Sequence, residues 1–253
     1  MQSTLSTFCG LHVACVMDGN GRWAERRGQS RASGHRAGAE ALRRVVEAAP
    51  GLGVGTLTVY AFSCDNWKRP SAEVSALMAL LGGYLRTETA RLKRAGVRLQ
   101  LIGRRDRLPG TLRAAAARAE WETRHGDRLH LRVAVDYSAR RAICDAATRL
   151  ARDDAHAATE AGNSGADDPA RLGAFEDALA DALHPDGSPA PPVDLLVRTG
   201  GERRLSDFLL WEAAYAELLF LDTMWPEVGG DILAAALDDF HGRHRRFGGL
   251  VAA

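Results

Sequence analysis

The sequence predicts an α/β fold: an open, mainly parallel six-stranded sheet flanked by helices. Three observations carry that expectation. Six short apolar runs of strand length, almost uninterrupted by polar residues, suit strands buried on both faces. The segments between several of them keep helical spacing. Clusters of glycine, arginine and carboxylate residues fall just after three of the runs, where open α/β sheets bind ligands.

The runs are Val13–Met17, Thr56–Phe62, Arg98–Ile102, His130–Val135, Leu195–Val197 and Leu218–Leu221. Leu42, Val45, Val46 and Ala49 keep i, i+3, i+4, i+7 spacing, as do Val74, Leu77, Met78 and Leu81, with Leu85 and Leu92 further along. Leu233, Ala236, Leu237 and Phe240 repeat the pattern near the C-terminus. Residues 1–11 are expected to be flexible. Residues 151–192, Ala-rich and punctuated by Asp153-Asp154, Asn163-Ser164-Gly165 and the prolines from Pro185 to Pro192, read as a surface excursion with one helix, Pro169 to Leu183. The whole chain, 1–253, is read as one domain without internal repeats.

Charge and cysteine content narrow the function classes. A formal net charge of +1, with 26% charged and 46% hydrophobic residues, predicts neither a nucleic-acid binder nor a membrane-coating polycation. Cys9, Cys15, Cys64 and Cys144 form no CxxC pair and no zinc spacing, which points to free thiols in a reducing compartment. No signal peptide and no apolar stretch approaching ~18 residues is evident. The expected location is cytoplasmic, with at most peripheral membrane contact.

The first cluster is Asp18-Gly19-Asn20-Gly21-Arg22-Trp23, at the end of the first run. Its glycines let backbone N–H groups approach an anion. Arg22, Arg26, Arg27, Arg31 and Arg36 outnumber Asp18 and Glu25, and Gly34-His35 is read as opening a helix whose N-terminus favours negative charge. A lone carboxylate among phosphate-binding groups makes sense if magnesium bridges it to a diphosphate.

The second cluster, Ser63-Cys64-Asp65-Asn66-Trp67-Lys68-Arg69-Pro70, leaves the second run, and Ser71 and Glu73 read as the cap and first turn of a long helix to Ala95. A loop has no packing need for Asn66, Trp67 and Arg69 together. An amide can hold a proton in a relay or orient a pyrophosphate, and an indole can cover an apolar or cationic group. The third cluster runs from Asp194 through Arg198, Gly200-Gly201, Glu202, Arg203 and Arg204 to Ser206, a second guanidinium-lined anion site. Glu217 follows and is equally readable as a solvated carboxylate. Two anion sites on one sheet edge suggest a pair of phosphorylated substrates.

With these clusters in place the chain resembles the cis-prenyltransferases, the family of undecaprenyl diphosphate synthase. The likeness covers His12 to Gly249. It rests on the run His12–Ala24, the spacing of Gly28, Arg31, Gly34-His35 and Gly38, the stretch Leu57–Met78, the stretch Asp194–Pro226 and the closing Arg245-Arg246-Phe247-Gly248-Gly249. The resemblance implies that isopentenyl diphosphate is condensed with an allylic primer (dimethylallyl, geranyl or farnesyl diphosphate), extending it in the cis sense and releasing diphosphate.

It also implies the roles. Asp18 would hold Mg2+, with Glu217 completing the metal site. Gly19, Asn20, Gly21, Arg22, Arg31 and His35 would bind the allylic diphosphate, with Trp23 against the prenyl chain or the homoallylic substrate. Asn66, with Ser63, Cys64, Asp65 and Trp67, would sit by the reacting carbons as the proton acceptor. Arg69, Arg198, Arg204, Leu205 and Ser206 would bind isopentenyl diphosphate. An apolar tunnel between sheet and helices would hold the growing chain, with Gly82-Gly83 in the long helix either widening its wall or packing against another helix. A homodimer is implied, the tail at Arg246-Phe247-Gly248 reaching the neighbouring site.

The chain departs from the family pattern at Cys64-Asp65, at Asp136-Tyr137-Ser138-Ala139-Arg140 (Asn-Tyr-Gly-Gly-Arg in the pattern), at Arg203 and in its longer central segment. These leave open a short-chain, irregular or cyclising synthase of secondary metabolism. A non-catalytic partner subunit should have lost Asp18, Asn66 or the glycine loop, all of which are kept. A generic phosphate-binding module would not need Asn66-Trp67 and Glu217. A trans-type synthase should carry Asp-Asp-x-x-Asp, which Asp153-Asp154, Asp167-Asp168 and Asp238-Asp239 do not complete.

Overall fold

A computed structural model describes residues 8–157, 169–184 and 189–243. All six apolar runs are strands: β1 (Leu11–Val16), β2 (Val54–Ser63), β3 (Val97–Ile102), β4 (Leu129–Tyr137), β5 (Leu195–Arg198) and β6 (Glu217–Phe220). They form one sheet in the order β3-β4-β2-β1-β5-β6, and every pairing is parallel. Parallel strands place all their carboxyl ends at one edge. Chain order reverses where β1 lies between β2 and β5, so the crevice above β1 and β5 is the topological switch point.

Strand alternation sorts the sheet into two unlike faces. Val13, Cys15, Leu57, Val59, Leu99, Leu101, Leu131, Val133, Leu195 and Val197 point one way into an aliphatic core. Four helices cover that face: α2 (Arg31–Ala48), α3 (Ser71–Arg94), α4 (Gly110–Thr123) and α7 (Gly230–Gly242). The other face mixes Ala14, Val16, Ala134 and Leu196 with a buried polar row of His12, Thr56, Thr58, Gln100, His130 and Arg132. His12 satisfies its ring in place. Nδ1 lies 2.7 Å from the Pro191 carbonyl, which can only accept, so Nε2 receives the Thr58 hydroxyl, also at 2.7 Å. Burial and the Arg132 charge push its pKa down to about 3.

Several expectations need correction. The glycine-rich stretch after β1 is a short helix, α1 (Asn20–Glu25), and not a loop. α2 begins at Arg31, capped by the Ser30 hydroxyl on Ser33 N–H, so Gly34-His35 lies inside it and does not open it. α3 starts where expected, yet Ser71 is not its cap. Pro70 holds that position without a side-chain bond, and Glu73 pairs with Arg69 at 3.0 Å.

The ends of the chain and its central segment also depart from expectation. Within the stretch expected to be flexible, the Phe8 ring is buried and stacks on His130 at 5.1 Å, and Leu11 opens β1. In the expected excursion, α5 (Ala139–Ala157) and α6 (Pro169–Leu183) pack together, and Ala178, Leu179 and Leu183 join the second core cluster. Residues 158–168, 185–188 and the tail at Arg246-Phe247-Gly248 lie outside the described residues. No helix among the described residues is long and apolar enough to cross a membrane.

Candidate active site

A cavity of about 740 Å³ opens above β1, β2 and β5 and runs between α2 and α3. Its polar walls include Asp18, Asn20, Arg22, Arg31, His35, Ser63, Asn66, Arg69, Arg198, Arg204 and Ser206, and its apolar walls include Leu42, Leu77, Met78, Leu81, Leu85 and Val133. These polar residues stand among the sequence-predicted site residues, whereas Tyr60, Arg140, Glu202 and Asp207, which also line the cavity, do not. Gly19, Gly21 and Asp65 also line it.

Asp18 follows β1 and Arg198 ends β5, neighbouring strands, so the fold places them side by side. Arg198 donates from Nε at 3.0 Å and from Nη2 at 2.6 Å to Asp18 Oδ2. Its Nη1 donates to Ser206 Oγ at 2.8 Å and to the Arg204 carbonyl. At 3% exposure, Arg198 is a buried bracket that organises Asp18 and Ser206, and its nitrogens are already engaged. Gly200 lets the next loop close over this pair. Its φ is +79°, and a Cβ there would come within 2.9 Å of the Arg22 guanidinium and 3.1 Å of Asp18 backbone. The Gly200 carbonyl accepts from Arg22 Nη2 at 2.7 Å.

Arg22, Arg31, Arg69 and Arg204 form exposed or half-buried pairs with carboxylates. Glu202 lies 2.5 Å from Arg204 and 3.8 Å from Arg22, Glu25 is 2.8 Å from Arg31, and Glu73 is 3.0 Å from Arg69 and 3.9 Å from Arg31. Exposed ion pairs contribute only about 0–1 kcal/mol. A diphosphate with its multiple acceptor oxygens can therefore displace the carboxylates, whereas the Arg198–Asp18 pair stays. His35 faces the same cluster. Burial, then Arg69, lowers its pKa, and its buried Nε2 has no partner among the described residues.

Asn66 sits in the 3-10 turn Cys64–Lys68 and accepts from Ser63 N–H through Oδ1 at 3.1 Å, while the Ser63 side chain accepts from the Asn66 backbone. That reciprocal pair fixes the amide against the end of β2. Asp65 is held by Lys68 at 2.7 Å. Cys64 is half-buried and lies off the cavity wall.

Four further expected contacts are not brought together. Trp23 does not line the cavity; Arg27 lies over its ring at 4.2 Å. Trp67 turns away from it as well. Its indole donates to Asp136 Oδ1 at 2.9 Å and its ring meets Phe62 edge-on at 5.2 Å. Leu205 packs against the second core cluster. Glu217 opens β6 level with Leu195, which is level with Val13 on β1. Strand rise and spacing put it roughly 15–20 Å from Asp18, and Arg243 holds it at 3.0 Å. It cannot share a metal with Asp18 of the same chain.

Three contributors were missed. Asp136, 1% exposed, accepts from the Trp67 indole and from Arg107 Nε at 2.8 Å and Nη2, bracing the turn that carries Asn66. Asp207 caps α5 through Ser138 Oγ at 2.5 Å and Arg140 N–H at 2.8 Å. Ser206, Asp207 and Leu209 all have φ between 46° and 62°, a strained run that delivers Ser206 to Arg198. Tyr60 lines the cavity and donates to the Ser206 carbonyl at 3.3 Å. An aspartate standing where the family pattern has Asn, directly after an apolar run, was the one available signal for Asp136.

The donor set also tests the implied metal. Among the described residues no three His, Cys, Asp or Glu side chains converge as a protein-only site. Asp18 Oδ1, however, accepts no hydrogen bond from the described residues, while Oδ2 is taken by Arg198. One free carboxylate oxygen beside a diphosphate pocket fits magnesium, which takes one or two carboxylates and fills the rest of its shell with phosphate oxygens and water.

Fold and site together define an α/β protein whose switch-point cavity joins an arginine-lined wall to an apolar cleft between two helices. Residues 16–248 match the profile of the family described as "Putative undecaprenyl diphosphate synthase". Isoprenyl transferase 1 of Bradyrhizobium diazoefficiens is 55% identical over 242 residues, 96% of this chain and 91% of that protein. A ditrans,polycis-undecaprenyl-diphosphate synthase of Xanthomonas axonopodis pv. citri, named as (2E,6E)-farnesyl-diphosphate specific, is 45% identical over 98% of this chain and 92% of its own. The solved structure of lavandulyl diphosphate synthase from Lavandula x intermedia, in complex with dimethylallyl diphosphate, superposes with a TM-score of 0.84 at 30% identity, covering 95% of this chain and 98% of the other.

The chain belongs to the undecaprenyl diphosphate synthase family, the cis-prenyltransferases. It is an isoprenyl transferase, joining isopentenyl diphosphate to an allylic diphosphate with release of diphosphate.

Proposed function

We propose that the chain extends farnesyl diphosphate in this cavity into a regular cis-polyprenyl diphosphate, with Mg2+ bound at Asp18. The observation that carries the reading is the single cavity in which exchangeable arginines and a free carboxylate oxygen meet the apolar cleft between α2 and α3. Farnesyl is chosen over dimethylallyl and geranyl diphosphate because the Xanthomonas relative carries that specificity in its name.

Arg22, Arg31 and His35, with the backbone of Gly19, Asn20 and Gly21, take the allylic diphosphate, giving up their carboxylate partners as it enters. Arg69, Arg204 and Ser206 take the headgroup of isopentenyl diphosphate, with Arg198 holding Ser206 and Asp18 in position. Magnesium, when bound, neutralises charge that builds on the departing diphosphate. The arginines aimed at those same oxygens favour that charged state over the intact ester. The alkene of isopentenyl diphosphate bonds to the allylic carbon, and the proton lost from the new chain is received beside Asn66. The Asn66 amide oxygen keeps a second lone pair for that proton's path while it accepts from Ser63 N–H, and the departing diphosphate can take up the proton as the base.

The enzyme is proposed to act as a homodimer in the cytoplasm. Exposed Tyr215 and Leu218 beside edge strand β6 support the first, and four unpaired cysteines in a reducing compartment support the second. Incubation with radiolabelled isopentenyl diphosphate, Mg2+ and dimethylallyl, geranyl or farnesyl diphosphate in separate reactions tests the reading. Long-chain product from farnesyl diphosphate, lost on adding EDTA, is expected. No product from any primer would overturn it.

A further inference from the structure

The cavity of the site is not the whole cleft between α2 and α3. A second cavity of about 140 Å³ lies further along the same two helices, and Tyr84 belongs to the walls of both. The linings advance by helical turns. On α3, Leu77, Leu81 and Leu85 line the first cavity, and Glu88 and Leu92 line the second. On α2, His35, Ala39 and Leu42 give way to Arg43 and Val46. Each helix therefore carries one continuous face past the divide, and a side chain interrupts the space between them.

The two sides of that divide differ in polarity. Before it the walls around Tyr84 are leucine and methionine. Beyond it Arg43 holds Glu88 through Nε at 3.1 Å and Nη2 at 2.6 Å, the Glu88 side chain is only 6% exposed, and Arg91 pairs with Glu47 at the surface. Tyr84 shares the lining of the second cavity with this bidentate pair, and its hydroxyl makes no hydrogen bond among the described residues.

From this arrangement, and resting on the function proposed above, we infer that Tyr84 sets the length of the product, closing the chain-holding cavity against a second chamber with a charged floor. Each isoprene unit added gains by leaving water while the wall is apolar. A chain that passed Tyr84 would have to cover the Arg43–Glu88 pair and strip its remaining water, a cost that grows with burial. Elongation therefore stalls at the ring.

The adjoining Gly82-Gly83 is not the wall. Neither lines a cavity, a Cβ on Gly83 would meet nothing within 4 Å, and one on Gly82 would lie 3.8 Å from Leu112 of α4. The expected role of the pair in widening the tunnel wall thus falls away, buried Gly82 keeps the alternative of packing against another helix, and the length-setting residue is the next one along.

The experiment is product-length analysis of the unmodified chain, Tyr84→Ala and Tyr84→Trp with labelled isopentenyl diphosphate and the best primer. The distribution should shift up by at least one C5 unit in Tyr84→Ala and down by at least one in Tyr84→Trp. Adding Arg43→Met and Glu88→Met to Tyr84→Ala should lengthen it again. Gly83→Trp should match the unmodified chain. Should Tyr84→Ala fail to fold, the downward shift in Tyr84→Trp decides. Unchanged distributions in the folded variants overturn the inference and leave the proposed function standing. No product from the unmodified chain overturns both.

Discussion

Arg198 binds one oxygen of Asp18 with two guanidinium nitrogens and leaves the other without a partner among the described residues. The carboxylate is thus half committed to the fold and half available to chemistry. Because Arg198 is buried and also holds Ser206, the arrangement links the ends of β1 and β5 with the strained loop that follows.

Asp18→Ala should therefore fail twice. Turnover is expected to fall by at least ~10²-fold, the scale for losing a group that stabilises transition-state charge. The variant should also lose about 2 kcal/mol of stability, because a buried guanidinium is left unpaired. Steady-state assay and urea denaturation of the same preparation measure the two. Asp18→Ala with unimpaired turnover would remove Asp18 from the site.

Asp136 should behave as a positioning residue. Asp136→Ala leaves Arg107 and the Trp67 indole without their acceptor and is expected to cost about 3 kcal/mol. The turn carrying Asn66 loosens with it, so kcat should fall ~10-fold or more with KM for the allylic diphosphate little changed. Asp136→Asn, which still accepts from the indole, should recover part of kcat. Equal loss in both variants would argue that only the ion pair with Arg107 matters.

Two glycines of the helical layer should respond in opposite directions. A Cβ on Gly38 would stand 2.2 Å from Asn20 Oδ1 and 3.1 Å from Trp225, whose indole donates to the Gly38 carbonyl at 2.9 Å. Gly38→Ala should separate α1 from α2 and cost about 1–3 kcal/mol. Gly83→Ala meets nothing, and in a helix interior it should stabilise by about 0.5–1 kcal/mol. Urea midpoints of the two variants should lie on either side of the parent's.

Acid should destabilise the fold at a pH set by histidines. Burial pushes His12 down to about 3, and burial with Arg132 pushes His130 down to about 2. In the unfolded chain both protonate near 6.5. Below that pH the unfolded state binds more protons, so stability falls as pH drops from 6.5 toward the folded values. The slope is about 1.4 kcal/mol per pH unit for each histidine, and above about pH 7.5 there is no contribution. Unfolding midpoints at pH 7.5, 6.5 and 5.5 test this. His130→Phe, which can keep the stack on Phe8, should flatten the profile, and a parent profile flat over that range would refute the argument.

The parts of the molecule legible in the sequence are those written in local pattern. Six apolar runs became six strands because parallel strands buried on both faces need continuous Val, Leu and Ile, and no other element of that length does. α4 escaped because its buried face is Leu112, Ala116, Ala119 and Thr123, and alanine fills its exposed positions too, so no apolar stripe stands out. α1 escaped because glycine on either side of Asn20 reads as loop, whereas Gly21 lies close against Arg31 of α2 and Gly19 against Met224.

The sequence alone determined which residue types stand at the sheet's carboxyl edge: a carboxylate, an amide and a set of arginines after β1, β2 and β5. Only the tertiary structure decided what each of them faces. It turned Arg198 under Asp18, sent Trp23 and Trp67 away from the cavity, parted Glu217 from Asp18, and set Tyr84 across the cleft. The reason is physical. Residue type and spacing follow from local backbone geometry, but the partner of a long side chain is chosen among groups that only folding brings within reach, by burial and by hydrogen bonds that a burying interior cannot leave unmade.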